Sequence, residues 1–263
     1  MCRLKAMGEA VILEICADSV ESAVAAQCGG ARRVELCSNL LEGGVTPSAG
    51  LISTVRRKLA IDLYVMIRPR GGDFYYTDEE FETMKKDVVM AKQLGANGIV
   101  FGILQEVGDV DIARTRCLIE MARPLKTTFH RAFDMSRDLN NSLKDVITAG
   151  ADRLLTSGGE QKVTDGIPAI AKLVQNADQR ISIMVGGGIT QSNVHHIIQA
   201  TGVHEIHASV RVPVPSPMQF RNERISMGIA KGREYQRVIV LPEEVRRLVE
   251  SANDGAHHSG KTR

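Results

Sequence analysis

The sequence predicts a single-domain (β/α)8 TIM barrel of the α/β class. Three observations predict it. Short apolar segments alternate strictly with helical ones, the order that builds a parallel sheet. A glycine recurs just before a short strand, at Gly30, Gly95, Gly150 and Gly202, every 52 to 65 residues. Such a glycine ends one helix in a left-handed turn and hands the chain to the next strand. The length of 263 residues is close to the roughly 250 of one such barrel.

The elements follow in order. Residues 13–16 (LEIC) alternate apolar and polar and form the first strand. Residues 19–27 form a helix that ends at Gly29 and Gly30. Residues 34–37 (VELC) form the second strand, with the composition of the first. Thr46 and Pro47 open a second helix, proline being suited to the first helical position. Residues 64–68 form the third strand. Thr77 and Glu80 have the spacing of a capping box and start a helix reaching about residue 94. Further strands begin near Ile99, at 127–131, near Leu154, at 182–185 and near Ile206. Further helices cover 111–121, 141–148, 166–176, 190–199 and 242–251. An open doubly wound sheet is the alternative, but the first turn reads Cys16-Ala17-Asp18-Ser19 where a dinucleotide site needs glycines. The barrel domain is expected over 1–252 and a disordered tail over 253–263, its His257 and His258 solvated.

Composition narrows the function. Hydrophobic residues make up 43% of the chain, enough for a large core, and a net charge of +2 argues against nucleic acid or a membrane surface as partner. No apolar run approaches a membrane span, and the N-terminus has no signal core. Five cysteines, an odd number without a CxxC pair, point to reduced thiols in an intracellular protein.

Side chains alternate across a strand, so each strand has an outer and an inner set. The outer set is apolar: Leu13, Ile15, Val34, Leu36, Val65, Ile67, Ile99, Phe101, Phe129, Leu155, Ile183, Val185 and Ile206. The inner set is mixed: Glu14, Cys16, Glu35, Cys37, Met66, Arg68, His130, Thr156, Met184, Glu205, His207 and Ser209. Active sites of these barrels lie at the C-terminal ends of the strands. Glu14, Glu35, Arg68 and His130 are the candidate catalytic residues. His130 can serve as general acid or base, since an unperturbed imidazole titrates near neutrality, Arg68 can clamp an anion, and Glu14 or Glu35 can orient the acid–base group. No lysine ends a strand, which argues against Schiff-base chemistry. Alternatively, the inner charges neutralise one another and hold the register, with His130 and His207 as satisfied core histidines.

Cys16 and Cys37 occupy matching positions on adjacent strands, about 4.8 Å apart. Two sulfurs without a third suit soft Cu(I); a zinc site would need four closing ligands. Taken singly, a cysteine is more often a small buried hydrophobe. The turn Gly186-Gly187-Gly188, with Arg70, is the candidate anion site, because glycine-rich turns expose backbone N–H groups.

The segments EICADS (14–19), VELCS (34–38), EGGVTPS (42–48), MIRPRGGDF (66–74), TFHRAFD (128–134), LTSG (155–158) and GGGI (186–189) closely resemble the CutC family of copper homeostasis proteins. The resemblance extends in order from about residue 12 to 228. It implies a TIM barrel, Cu(I) binding at Cys16 and Cys37, and a homodimer or homotetramer. It also implies a cytoplasmic location, with the nucleus added for a eukaryotic source. Ala208 departs from relatives that carry a further cysteine there. Two functions follow: a Cu(I) buffer or carrier, or a barrel enzyme acting on a small anionic metabolite.

Overall fold

The computed structural model describes residues 11–227 and 233–253. Eight parallel strands close into a barrel in chain order, β1 Ile12–Ala17, β2 Arg33–Leu36, β3 Asp62–Met66, β4 Gly98–Phe101, β5 Lys126–Phe129, β6 Arg153–Thr156, β7 Ser182–Val185 and β8 Glu205–Ala208. The helices between them are α1 Val20–Cys28, α2 Ala49–Arg56, α3 Asp78–Gln93, α4 Ile112–Ala122, α5 Leu139–Ala149, α6 Ile167–Ala177 and α7 Val194–Thr201. An antiparallel hairpin, β9 Arg211–Pro215 and β10 Gln236–Val240, precedes α8 Pro242–Asn253. Of the expected tail, only Asn253 is described, and it ends α8; the rest, with His257 and His258, lies outside the described residues.

Local signals explain most boundaries. Ser19, Ser48, Thr77, Asp111 and Asp138 cap the helices that follow them, and Thr77 with Glu80 completes the capping box. All four repeat glycines have positive φ, from +73° to +97°, as the turn out of each helix requires. The second helix starts later than Thr46–Pro47 predicts. Thr46 is held against the end of the third strand, its N–H donating to the Arg68 carbonyl at 2.9 Å and its Oγ1 accepting from Arg68 N–H at 2.9 Å. The chain turns helical only after the Ser48 cap. Likewise α7 begins at Val194, because Thr190 and Asn193 close a turn of their own first.

The outer apolar set packs under the helices as one continuous core. One strand faces the opposite way to the alternation expected of it. In β6 it is Arg153 and Leu155 that enter the barrel: Arg153 reaches Glu205, and Leu155 lines the mouth. Leu154 joins the outer core and Thr156 donates to Asp134. Two adjacent leucines make either face plausible from the pattern, and only the buried arginine decides between them.

Candidate functional site

The barrel interior has two polar storeys. The lower one begins with Glu14, fully buried, beside Arg33 on β2 and His207 on β8 in strand register. Arg33 Nε donates to Glu14, and its Nη2 donates to Glu205 at 2.5 Å. Arg153 donates to both oxygens of Glu205, at 2.6 and 3.0 Å, and Ser182 donates to it at 2.6 Å. The Tyr64 ring lies against both guanidiniums. Burial drives the Glu14 carboxyl up, but Arg33 and His207 outweigh it and hold the pKa at about 2. Every charge of this storey has a partner, which is what burial demands.

The upper storey opens into a cavity of about 290 Å³ at the C-terminal ends of the strands. Cys16, Glu35, Arg68, His130 and His207 line it, with Gly187 and Gly188 from the glycine-rich turn. Cys16 Sγ and Cys37 Sγ lie 3.4 Å apart, sharing a thiol hydrogen bond. They do not stand at matching height. Cys16 pairs in register with Glu35, and Cys37 lies two residues further along. The stagger of barrel strands brings the side chains together from different levels. Gly44 closes over the pair with φ +91°, and a Cβ there would come within 3.4 Å of Cys37 Sγ. The Cys16 thiol is raised well above its ordinary value, first by its bond with Cys37, then by burial and the Glu35 charge. Ligand atoms of Cys16, Glu35 and Cys37 all fall within 4.8 Å of one another, as do those of Glu14, Glu35 and His207.

His207 is the link between storeys. Its Nδ1 meets Glu14 at 2.7 Å and its Nε2 lies 3.8 Å from Glu35. Burial opposes its charge, but Glu35, Cys16 and Glu14 raise its pKa well above 6.5. Glu35 is raised by burial, with the His207 charge acting against that. Strand alternation places His207 inside, yet nothing in the sequence marks it as the residue that joins the two glutamates.

His130 has the opposite character. Burial and the facing Arg68 charge lower its pKa to about 3. Its Nδ1 accepts from Ala132 N–H at 3.2 Å, so the proton sits on Nε2. The imidazole packs so tightly on Gly102 that a Cβ there would lie 2.5 Å from Nδ1. Arg68 is largely engaged: its Nη1 donates to the Glu42 and Gly44 carbonyls at 2.7 and 3.0 Å, and its Nη2 donates to Gly72 at 2.8 Å. It thereby ties the loop after β2 to the loop after β3. Arg70 does not line the cavity. It binds Glu80 at 2.6 Å and the carbonyls around Gly71 and Asp73. Gly186 sits behind His207, and α7 begins too late to present its N-terminus to the turn. Asp134 accepts from Thr156, Ser157, Gly159 and Arg131 and pins the loop after β6.

Arg211, the first residue of β9, also reaches the cavity. It follows the last barrel strand, where barrel alternation no longer applies, so no sequence signal announces it. Among the described residues no helix is long and apolar enough to cross a membrane.

Comparison with known proteins places this geometry in context. A sequence model described as the CutC family matches residues 11–212. The copper homeostasis protein cutC homologue of Mus musculus is 46% identical over 248 residues, 94% of this chain and 91% of that one. The human homologue is 46% identical over 238 residues, 90% of this chain and 87% of that one. A solved CutC structure from Streptococcus agalactiae superimposes with a TM-score of 0.72 at 36% identity, covering 75% of this chain and 97% of that one.

Proposed function

Because this chain belongs to the CutC family, we propose that it serves copper homeostasis by holding one Cu(I) ion between Cys16 and Cys37, as a buffer or carrier. The observation that carries this reading is the 3.4 Å contact of the two buried sulfurs. Thiolates favour soft ions such as Cu(I), and two of them without four closing ligands suit Cu(I) better than zinc. Glu35, whose carboxylate lies within 4.8 Å of both sulfurs, is a third donor or a countercharge. The bond with Cys37, burial and the Glu35 charge together hold the Cys16 thiol protonated. A cation entering there reverses that balance and displaces protons as it binds. Glu14 takes part indirectly, by holding Nδ1 of His207 so that Nε2 faces Glu35. The cytoplasmic or nuclear setting and the homo-oligomer implied by the resemblance belong to the same reading.

The test is an anaerobic Cu(I) titration against a competing chelator, on the parent and on Cys16→Ser/Cys37→Ser. The expected result is one tightly held ion per chain. The double variant should lose more than about 100-fold in affinity, beyond what outer-shell changes alone bring, while circular dichroism stays parental. Equal affinity in the two proteins would end the proposal.

A further inference from the structure

Among the described residues, six buried side-chain nitrogen or oxygen atoms lack a hydrogen-bond partner. Four of them belong to residues lining the cavity at the barrel mouth: Glu35 Oε1, Arg68 Nε, His130 Nε2 and Arg211 Nε. Buried polar atoms are nearly always partnered, so a cluster of exceptions calls for a cause. Arg68 adds a second anomaly. The residue is 5% exposed, its Nη groups donate to carbonyls, and it forms no ion pair among the described residues. A buried cation without a countercharge is costly. Tyr76 lies beside the same guanidinium but is neutral, its pKa pushed up by burial to about 12, and Asp73 feels the Arg68 charge from a distance without forming an ion pair with it.

The unsatisfied atoms differ in kind from wall to wall. Arg68 after β3, His130 after β5 and Arg211 after β8 offer N–H donors. Glu35 on β2 offers an acceptor. His130 is oriented for this: Nδ1 is fixed on Ala132 N–H, which leaves the Nε2–H edge for the cavity. Arg211 is held only loosely, its Nη1 lying 3.8 Å from Asp18. Arg131, also on the wall, keeps its guanidinium close beside Gly187. A volume of about 290 Å³ lies at the small end of ligand sites.

We propose that this cavity binds a small organic acid. Its oxyanion head, carboxylate or phosphate, takes the His130 and Arg211 N–H groups beside the Arg68 charge, and its hydroxyl or amino group donates to Glu35 Oε1. The site is distinct from the paired thiols in chemistry, since its donors are nitrogens that no metal would engage while protonated. It shares Glu35 with the proposed Cu(I) site, so the two are told apart through His130 and Arg211, which take no part in holding the ion.

The experiment uses the full chain with a copper chelator present, at constant ionic strength. Lactate, acetate, inorganic phosphate and neutral 1,2-propanediol are titrated while the melting temperature and NMR shifts are followed. A saturable shift with lactate, weaker with acetate and absent with propanediol, is the expected result for a carboxylate head. Tighter binding of phosphate than of lactate supports the site with phosphate as its head. Arg211→Met, which removes a side chain 25% exposed, should weaken the bound anion about tenfold or more. Glu35→Met, which removes the acceptor, should abolish the advantage of lactate over acetate. Equal shifts with propanediol and lactate, no saturable shift with any anion, or parental affinity in Arg211→Met would each overturn the proposal. Repeating the Cu(I) titration on Arg211→Met separates the two functions: copper retained with the anion lost supports two sites, and joint loss overturns that distinction.

Discussion

The two storeys of the barrel interior share β1, β2 and β8, two residues apart along each strand, and are finished differently. Below, Glu14, Arg33, Glu205 and Arg153 close on one another, and no member reaches the cavity. Above, Glu35, Arg68, His130 and Arg211 each keep an atom without a partner. Burial alone does not separate them, for Glu14 and Glu35 are both almost fully enclosed. What separates them is closure. A closed set of buried charges is scaffold, and an open one is shaped for something that arrives later. His207 touches both, with Nδ1 on the closed side and Nε2 on the open side.

The largest expected effect comes from opening the closed storey. Arg33→Met leaves Glu14 with only His207 and takes one of two arginines from Glu205. Removing one partner of a buried ion pair costs about 3–5 kcal/mol. For a chain of this size that lowers the melting temperature by roughly 6–20 °C. A loss under about 1 kcal/mol would mean that Arg33 is dispensable and that closure is not what stabilises this layer. Adding Glu14→Gln to the variant sharpens the point, because the pair removed together should cost less than the two changes summed.

The open storey should be visible as an acid weakness. His130 titrates near 3 in the folded chain against an ordinary 6.5. Between those values the unfolded chain binds more protons, so stability rises with pH there and is lost as pH falls from 6.5 through about 3. Arg68 is the charged group facing the imidazole, and it acts in the same direction as burial. The slope from this one group is up to about 1.4 kcal/mol per pH unit. His130→Asn keeps an acceptor for Ala132 N–H and removes the titration. Urea unfolding from about pH 7 to about pH 4 should give the variant a shallower acid limb by that amount. Parallel profiles would show that the imidazole is not held neutral.

Much of this was legible in the strands. Wherever a strand has apolar residues only on its outer face, as in LEIC and VELC, alternation assigned Glu14, Cys16, Glu35 and Cys37 correctly. It failed in β6, where Leu154 and Leu155 are equally apolar and the deciding ion pair lies between residues 153 and 205. Alternation gives a face but not a height, so the levels of Cys16 and Cys37 depended on barrel stagger, which no single strand records. Arg68 was legible as an inward cation. That its Nη groups are spent on three carbonyls depends on how two loops fold, and loops carry no period. Arg211 lies beyond the barrel repeat altogether.

Arg70 provides the smallest effect and the sharpest control. By sequence it stands beside Arg68 in MIRPRGGDF, and both read as anion-binding cations. Alternation does not separate them, since two residues apart they share a face in any extended strand. The strand ends at Met66, however, and past it the chain turns outward. Arg70 becomes a half-exposed staple between Glu80 and Asp73, whereas Arg68 stays enclosed. Surface ion pairs of this kind contribute about 0–1 kcal/mol. Arg70→Gln should therefore change unfolding free energy by no more than about 1 kcal/mol and leave both the Cu(I) and the lactate titrations parental. A tenfold loss of anion affinity in this variant would extend the open storey to the outer rim and put its boundary at Glu80 rather than at Arg68.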